Sequence, residues 1–227
     1  MNTVPFPVRT PAARDASRSR LAVAAELYRG VRQCAHGRYA TANLLARPLP
    51  DFFAGFVLSR LYRAAGFSGV DRGAFIMAPL RLTGTGDIYS RLHIAEGATV
   101  STDVTINLDE SVHIATHATV SPYVRIYTAT HRHGPSEHRC MAEVRPRPVV
   151  IEEGCWIGLG AMITPGVVVG RGSVVAAGAV LSRSVPPNSF VSGNPAAVVG
   201  KLQEGADWMG PRPVRDASGK LMGRGGR

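Results

Sequence analysis

From Ile151 onward the aliphatic residues recur every six positions. Cut at that period, the chain reads IEEGCW, IGLGAM, ITPGVV, VGRGSV, VAAGAV, LSRSVP. The first position is Ile151, Ile157, Ile163, Val169, Val175 and Leu181, aliphatic each time. The fifth is small or β-branched throughout, and the fourth is glycine until Ser184. A six-residue period is neither the 3.6 of a helix nor the 2 of an isolated strand. It predicts a coil whose flat faces are short strands joined by tight turns, with three hexads to a triangular turn. The aliphatic residue points inward and stacks on its equivalents, and the small fifth residue sits near the corner.

The same phase runs upstream through Val70, Ile76 and Leu82, through Ile94, Val100 and Ile106, and through Ile114, Val120 and Ile126. It slips at 83–93 and 107–113, where short insertions are expected. A longer break, residues 131–148, separates Ile126 from Ile151 and leaves the coil entirely. The chain thus divides into an N-terminal arm with helices (1–69), a mainly β domain of hexapeptide repeats (70–202) and a C-terminal tail rich in Gly, Pro and charge, expected to be mobile (203–227). Within the first segment, residues 1–18 read as disordered. Leu21, Ala24, Leu27 and Val31 at helical spacing predict a helix from Ser19 to about Tyr39. A second is predicted over Asp51–Ala65, packing through Phe52, Phe53, Phe56, Val57, Leu61 and Ala64, with Pro50 before it and Gly66 after it.

Composition changes this picture little. The chain has 227 residues, 25 of them glycine, and only 7% aromatics, which suits small repeated β units. No apolar run approaches the length that spans a bilayer, and the N-terminus has no apolar segment of a secretory signal. Three scattered cysteines, Cys34, Cys140 and Cys155, fit free thiols in a reducing compartment, so a cytoplasmic location is expected. Net charge is 26 − 16 = +10, which can attract nucleic acid, an anionic membrane or a phosphate-bearing small molecule. No stacking aromatics are interleaved with the cations, which argues against a basic, non-enzymatic nucleic-acid binder.

The elements CWIG after a variable loop, the PPN turn, the GNPA exit and the upstream TATH, set among the hexads, closely resemble the hexapeptide-repeat acyltransferases. The nearest likeness is to the sugar O-acetyltransferases of the maltose, galactoside, nodulation-factor and colanic-acid group, over about residues 70–202. The resemblance implies a left-handed parallel β-helix, a homotrimer with active sites between subunits, acetyl-CoA as donor and no metal. It places the catalytic histidine at His131, in TATH.

Acetyl transfer from a thioester to a hydroxyl needs the hydroxyl proton removed as attack proceeds, which a neutral imidazole does near pH 7. The thioester is already activated, and the chain has no GxSxG elbow to supply a nucleophile. Direct attack in a ternary complex, with His131 as general base, is therefore expected. Glu137 is a candidate to orient its ring beside the acceptor. Asn107, in TINLDE, sits where relatives carry an acceptor-lining Asn or Asp, and is equally readable as an ordinary turn residue.

The resemblance maps the pantetheine arm onto Gly158, Leu159, Gly160 and Ala177, with Trp156 packing nearby. It maps the adenosine and phosphates onto Ser182 and Arg183, with Lys201 a further cation. Relatives often carry arginines where this chain has Ala197 and Gly200. The N-terminal helices also do not match the short cap of the maltose and galactoside enzymes, which implies a different sugar, glycan or natural-product acceptor. Hydroxyl and amino-sugar acceptors both stay open.

The rival reading is a zinc enzyme on the same coil, like the γ-class carbonic anhydrases. His113, His117, His131, His133 and His138 supply candidate ligands, the last two with H-x-x-x-x-H spacing.

Overall fold

The computed structural model describes residues 36–203. Most of the helix expected over 19–39 and nearly all of the C-terminal tail lie outside the described residues. The chain enters through three helices, α1 (Gly37–Ala46), α2 (Asp51–Ala54) and α3 (Leu58–Ala65), and then winds into a parallel β-helix.

The six-residue phase becomes three parallel ladders, one per face of a triangular coil. On the first face Ile94, Ile114, Ile151 and Val169 stack in register. On the second, Ile76, Val100, Val120, Ile157, Val175 and Val191 do so. On the third, Leu82, Ile106, Ile126, Ile163 and Leu181 complete the set. All are buried. Each such side chain is worth about 1.5–3 kcal/mol relative to exposure, so the ladders are a large part of what holds the coil together.

The fourth hexad position turns the corner through left-handed backbone. Gly154, Gly160, Gly166, Gly172 and Gly178 have φ between +66° and +83°, and upstream Asp103, His117 and Tyr123 hold the same conformation at +54° to +61°. Glycine enters this region freely, and other residues enter it at a cost.

All three slips of the period fall at one edge, between the third face and the first. There the chain passes from Leu82 to Ile94, from Ile106 to Ile114 and from Ile126 to Ile151. Arg91 staples the two shorter insertions, donating from Nη1 to Thr85 O and Leu108 O, both at 2.9 Å. The long one is an antiparallel hairpin of strands Ala129–His133 and Cys140–Pro146, with His131 opposite Val144.

The helices depart from expectation. The single helix over 51–65 is broken at Gly55, which lies against the Phe75 ring with no room for a Cβ. The buried face is Ala54, Leu58, Tyr62 and Ala65, while Phe52, Phe53 and Phe56 are 59%, 61% and 53% exposed. Small Ala54 and Ala65 let the backbone approach the coil, and Tyr62 anchors it. Its hydroxyl donates to Asn43 Oδ1 at 2.7 Å and accepts from Leu80 N at 2.8 Å. α1, not anticipated beyond Tyr39, buries only Ala42 and Ala46.

Candidate active site

The histidine singled out by the sequence rises from the slipping edge. At its root, Thr128 is fully buried. Its Oγ1 lies 2.9 Å from both Asn107 O and Asn107 Oδ1, and accepts from Glu110 N at 3.0 Å. Asn107 Oδ1 also accepts from Thr128 N at 3.3 Å, and Nδ2 donates to Asp109 Oδ2 at 2.9 Å while reaching Thr83 Oγ1 at 3.5 Å. Both ends of the Asn107 amide are thus engaged by its own chain, and the residue clips the edge together. Asp109 accepts from Thr85 N and Oγ1 as well. Burial pulls its carboxyl up, but the bonds from Asn107 and Thr85 and the charge of Arg91 outweigh that and hold it below the usual range.

From this root the hairpin rises with His131 inside its first strand rather than after a strand's end. His131 is exposed, and its Nδ1 lies 2.8 Å from Met141 O across the hairpin. A carbonyl oxygen only accepts, so Nδ1 carries the proton. In the neutral ring Nε2 is then the unprotonated nitrogen, the form a general base requires.

Glu137 does not orient this ring. It sits at the hairpin tip, where its own backbone N–H and Ser136 Oγ bond its carboxyl and hold it below the ordinary value. His133 pairs with Cys140 in the hairpin, and His138 N closes the tip turn onto Pro135 O at 3.0 Å.

Between the hairpin and the edge of the coil lies a cleft of about 860 Å³. Tyr127, Thr164, Pro165 and Ser182 line it from the coil, and Thr130, His131, Arg132, Arg145 and Arg147 from the hairpin and the return strand. Tyr127, Thr164 and Ser182 each follow a third-face strand, so successive coils present the same corner to the cleft. Arg183 is exposed beside Ser182.

The residues mapped to the pantetheine arm stand elsewhere on the same chain. Gly158, Leu159, Gly160 and Ala177 lie at the edge between the second and third faces. Trp156 and Leu159 are 50% and 53% exposed there, and Trp156 Nε1 donates to Ser121 Oγ at 3.1 Å. Gly160 has open space where a Cβ would stand. Gly158 does not, because its Cβ would meet Val175 O at 2.5 Å and Ala177 N at 2.7 Å. Gly158 is glycine for the stacking of coils, whereas Gly160 leaves open space beside the rim, its own N–H being bonded to Pro122 O at 2.9 Å. An exposed apolar rim with open space beside it suits the pantetheine arm of coenzyme A. Lys201 closes the end of the coil, with Nζ donating to Pro187 O and Ser189 Oγ, both at 3.3 Å.

The histidines of the zinc reading do not converge. His113 stacks on His93 on the first face, with ring centroids 4.2 Å apart and an interplanar angle of 2°. Burial first, and then His93, pushes its pKa down. His117 occupies a corner turn at φ +58°. Among the described residues no three His, Cys, Asp or Glu side chains come together to hold a metal ion. Among them, too, no helix is long and apolar enough to cross a membrane.

Comparison with known proteins agrees with this architecture. Residues 148–183 match the family described as hexapeptide repeat of succinyl-transferase. Nodulation protein L of Rhizobium meliloti is 40% identical over 140 residues, covering 62% of this chain and 74% of that protein. The galactoside O-acetyltransferase of Lactococcus lactis is 30% identical over 138 residues, covering 61% and 65%. Among solved structures, a maltose O-acetyltransferase from Clostridium difficile superposes with a TM-score of 0.62 at 26% identity, over 82% of this chain and 90% of that one. A hexapeptide-repeat acetyltransferase from Vibrio cholerae, complexed with acetyl coenzyme A, gives 0.59 at 25% identity, over 74% and 87%. The stacked hexads, the slipping edge and these relatives together assign the chain to the hexapeptide-repeat acetyltransferases.

Proposed function

We propose that the protein transfers the acetyl group of acetyl-CoA to a hydroxyl of a sugar or a glycosylated or natural-product acceptor, with His131 as general base. The observation that carries this is the Nδ1–H bond from His131 to Met141 O at the lip of the cleft, which leaves Nε2 free to take a proton. In this reaction the acceptor oxygen attacks the thioester carbonyl while its proton passes to Nε2. The tetrahedral adduct then collapses, the carbon–sulfur bond breaks, and the thiolate leaves with the proton from the imidazolium. The products are the acetyl ester and coenzyme A, and the ring returns neutral.

The candidate donor-binding residues at Gly158–Gly160 and Ala177 occupy a different edge of the coil from His131. This separation supports a site assembled between subunits, in which one chain offers the pantetheine rim and its neighbour the histidine. A homotrimer closes such a site three times by rotation.

The test is a thiol-release assay with acetyl-CoA against a panel of sugars, glycosides and amino sugars, with product mass measured. Acceptor-dependent thiol release and an ester gaining one acetyl group support the reading. An amide product from the amino sugars alone would move the activity to nitrogen, and no acceptor-dependent release across the panel would contradict acetyl transfer to sugars.

A further inference from the structure

The cleft beside His131 is strongly and asymmetrically charged. Arg132, Arg145 and Arg147 line it, and no carboxylate does. Glu143 pairs with two of the three. Its carboxylate lies 3.0 Å from Arg132 Nε and 3.7 Å from Arg145 Nε, so one anion is shared by two guanidinium groups. Arg147 has no acceptor for its guanidinium among the described residues. Its stem is laid over Gly166, where a Cβ would meet Arg147 Cδ at 3.0 Å, and its backbone N–H is fixed on Thr128 O at 2.6 Å. Arg145 stands opposite Thr130, two residues before Arg147 across Pro146. Two cations at the end of the return strand, both lining a concave cleft, concentrate field there, and guanidinium groups match the planar or tetrahedral oxyanions of carboxylate and phosphate.

The geometry points to an oxyanion site, held by Arg145 and Arg147, that takes a phosphate or carboxylate of a substrate bound at the His131 cleft. It rests on the acetyl-transfer reading only for calling the bound molecule a substrate. The anionic group has two sources, an acidic acceptor such as a sugar phosphate or a uronate, or the phosphates of the donor.

Calorimetric titration of the full chain with inorganic phosphate, glucose 1-phosphate, glucuronate and neutral methyl glucoside tests the site without turnover. At least one acid probe should bind, more weakly as salt rises. Arg147→Gln should weaken that probe about tenfold and the double variant R145Q/R147Q further, since one charge-assisted bond is worth about a factor of ten or more. Methyl glucoside should be unaffected. Both arginines are exposed, and a thermal melt will check that the variants fold.

Coenzyme A and competition separate the sources. If saturating coenzyme A leaves arginine-dependent binding of glucose 1-phosphate intact, the oxyanion belongs to the acceptor. If it abolishes that binding, and coenzyme A itself weakens tenfold in Arg147→Gln, it belongs to the donor. Absence of binding by every acid probe, or equal binding to wild type and the double variant, overturns the site. Failure of thiol release with anion binding intact would count against the acetyl-transfer reading and leave the oxyanion site standing.

Discussion

The Nδ1 of His131 and the carbonyl oxygen of Met141 lie 2.8 Å apart across the hairpin. This contact sets the tautomer of the ring without spending a side chain on it. Many imidazole bases are held by a carboxylate. Here a backbone carbonyl does the work, so the partner of Nδ1 is uncharged, and no substitution of Met141 removes it.

Asn107 is a clip, and its loss should register as stability. Asn107→Leu keeps the shape and removes both polar ends, leaving the buried Thr128 short of partners. The expected cost is about 1–3 kcal/mol in urea unfolding. Asn107→Asp should also destabilise at neutral pH, because a carboxylate oxygen replaces the amide that donates to Asp109. Unchanged stability with a raised acceptor KM would return Asn107 to the acceptor pocket.

Gly158 and Gly160 should respond differently to side chains. Gly158→Ala drives a methyl into the backbone of the next coil at Val175 and Ala177, and overpacking of this kind costs about 1–3 kcal/mol. Gly160→Asn adopts the left-handed turn that Asp103 and Asn188 already hold, and space is open there, so it should cost a few tenths to about 1 kcal/mol. If the apolar rim binds pantetheine, Gly160→Asn should still raise the KM for acetyl-CoA. Thermal melts and donor titrations of the two variants check both halves.

The His93–His113 stack makes the coil sensitive to mild acid. Burial and His93 lower the folded pKa of His113 below its ordinary 6.5. The unfolded chain therefore binds this proton more readily than the folded one. Above pH 6.5 both forms are neutral and the pair costs nothing. As pH falls through 6.5 toward the depressed folded value, stability is lost. His113→Gln should flatten that loss in unfolding midpoints measured between pH 7.5 and 5. An equal loss in the variant would place the acid sensitivity elsewhere.

The coil was legible because one constraint repeats: each aliphatic residue from Val70 to Leu181 must fill the same interior, so period and phase both appear in the sequence. The corners were half legible. Glycine marks them after Gly154, but His117 and Tyr123 take the same turn upstream without looking like turn residues. The hairpin has no buried face and hence no periodicity, so residues 131–148 read only as an excursion that leaves the coil. The partner of His131 is a main-chain carbonyl, which no residue type announces. The helical cap misled because Phe52, Phe53 and Phe56 look like a core face, while the packing is done by Ala54, Leu58 and Ala65 together with Tyr62.

The central claim is the proton acceptor at Nε2 of His131. The most direct measurement is the rate of acceptor-dependent thiol release by His131→Ala, alongside a sedimentation and thermal-melt check that the variant keeps its fold and assembly. The side chain is exposed and its only hydrogen bond among the described residues is to Met141 O, so folding should be intact. The rate should fall about 10²–10⁴-fold, the usual worth of a positioned general base. A folded variant that retains wild-type rate would contradict the account.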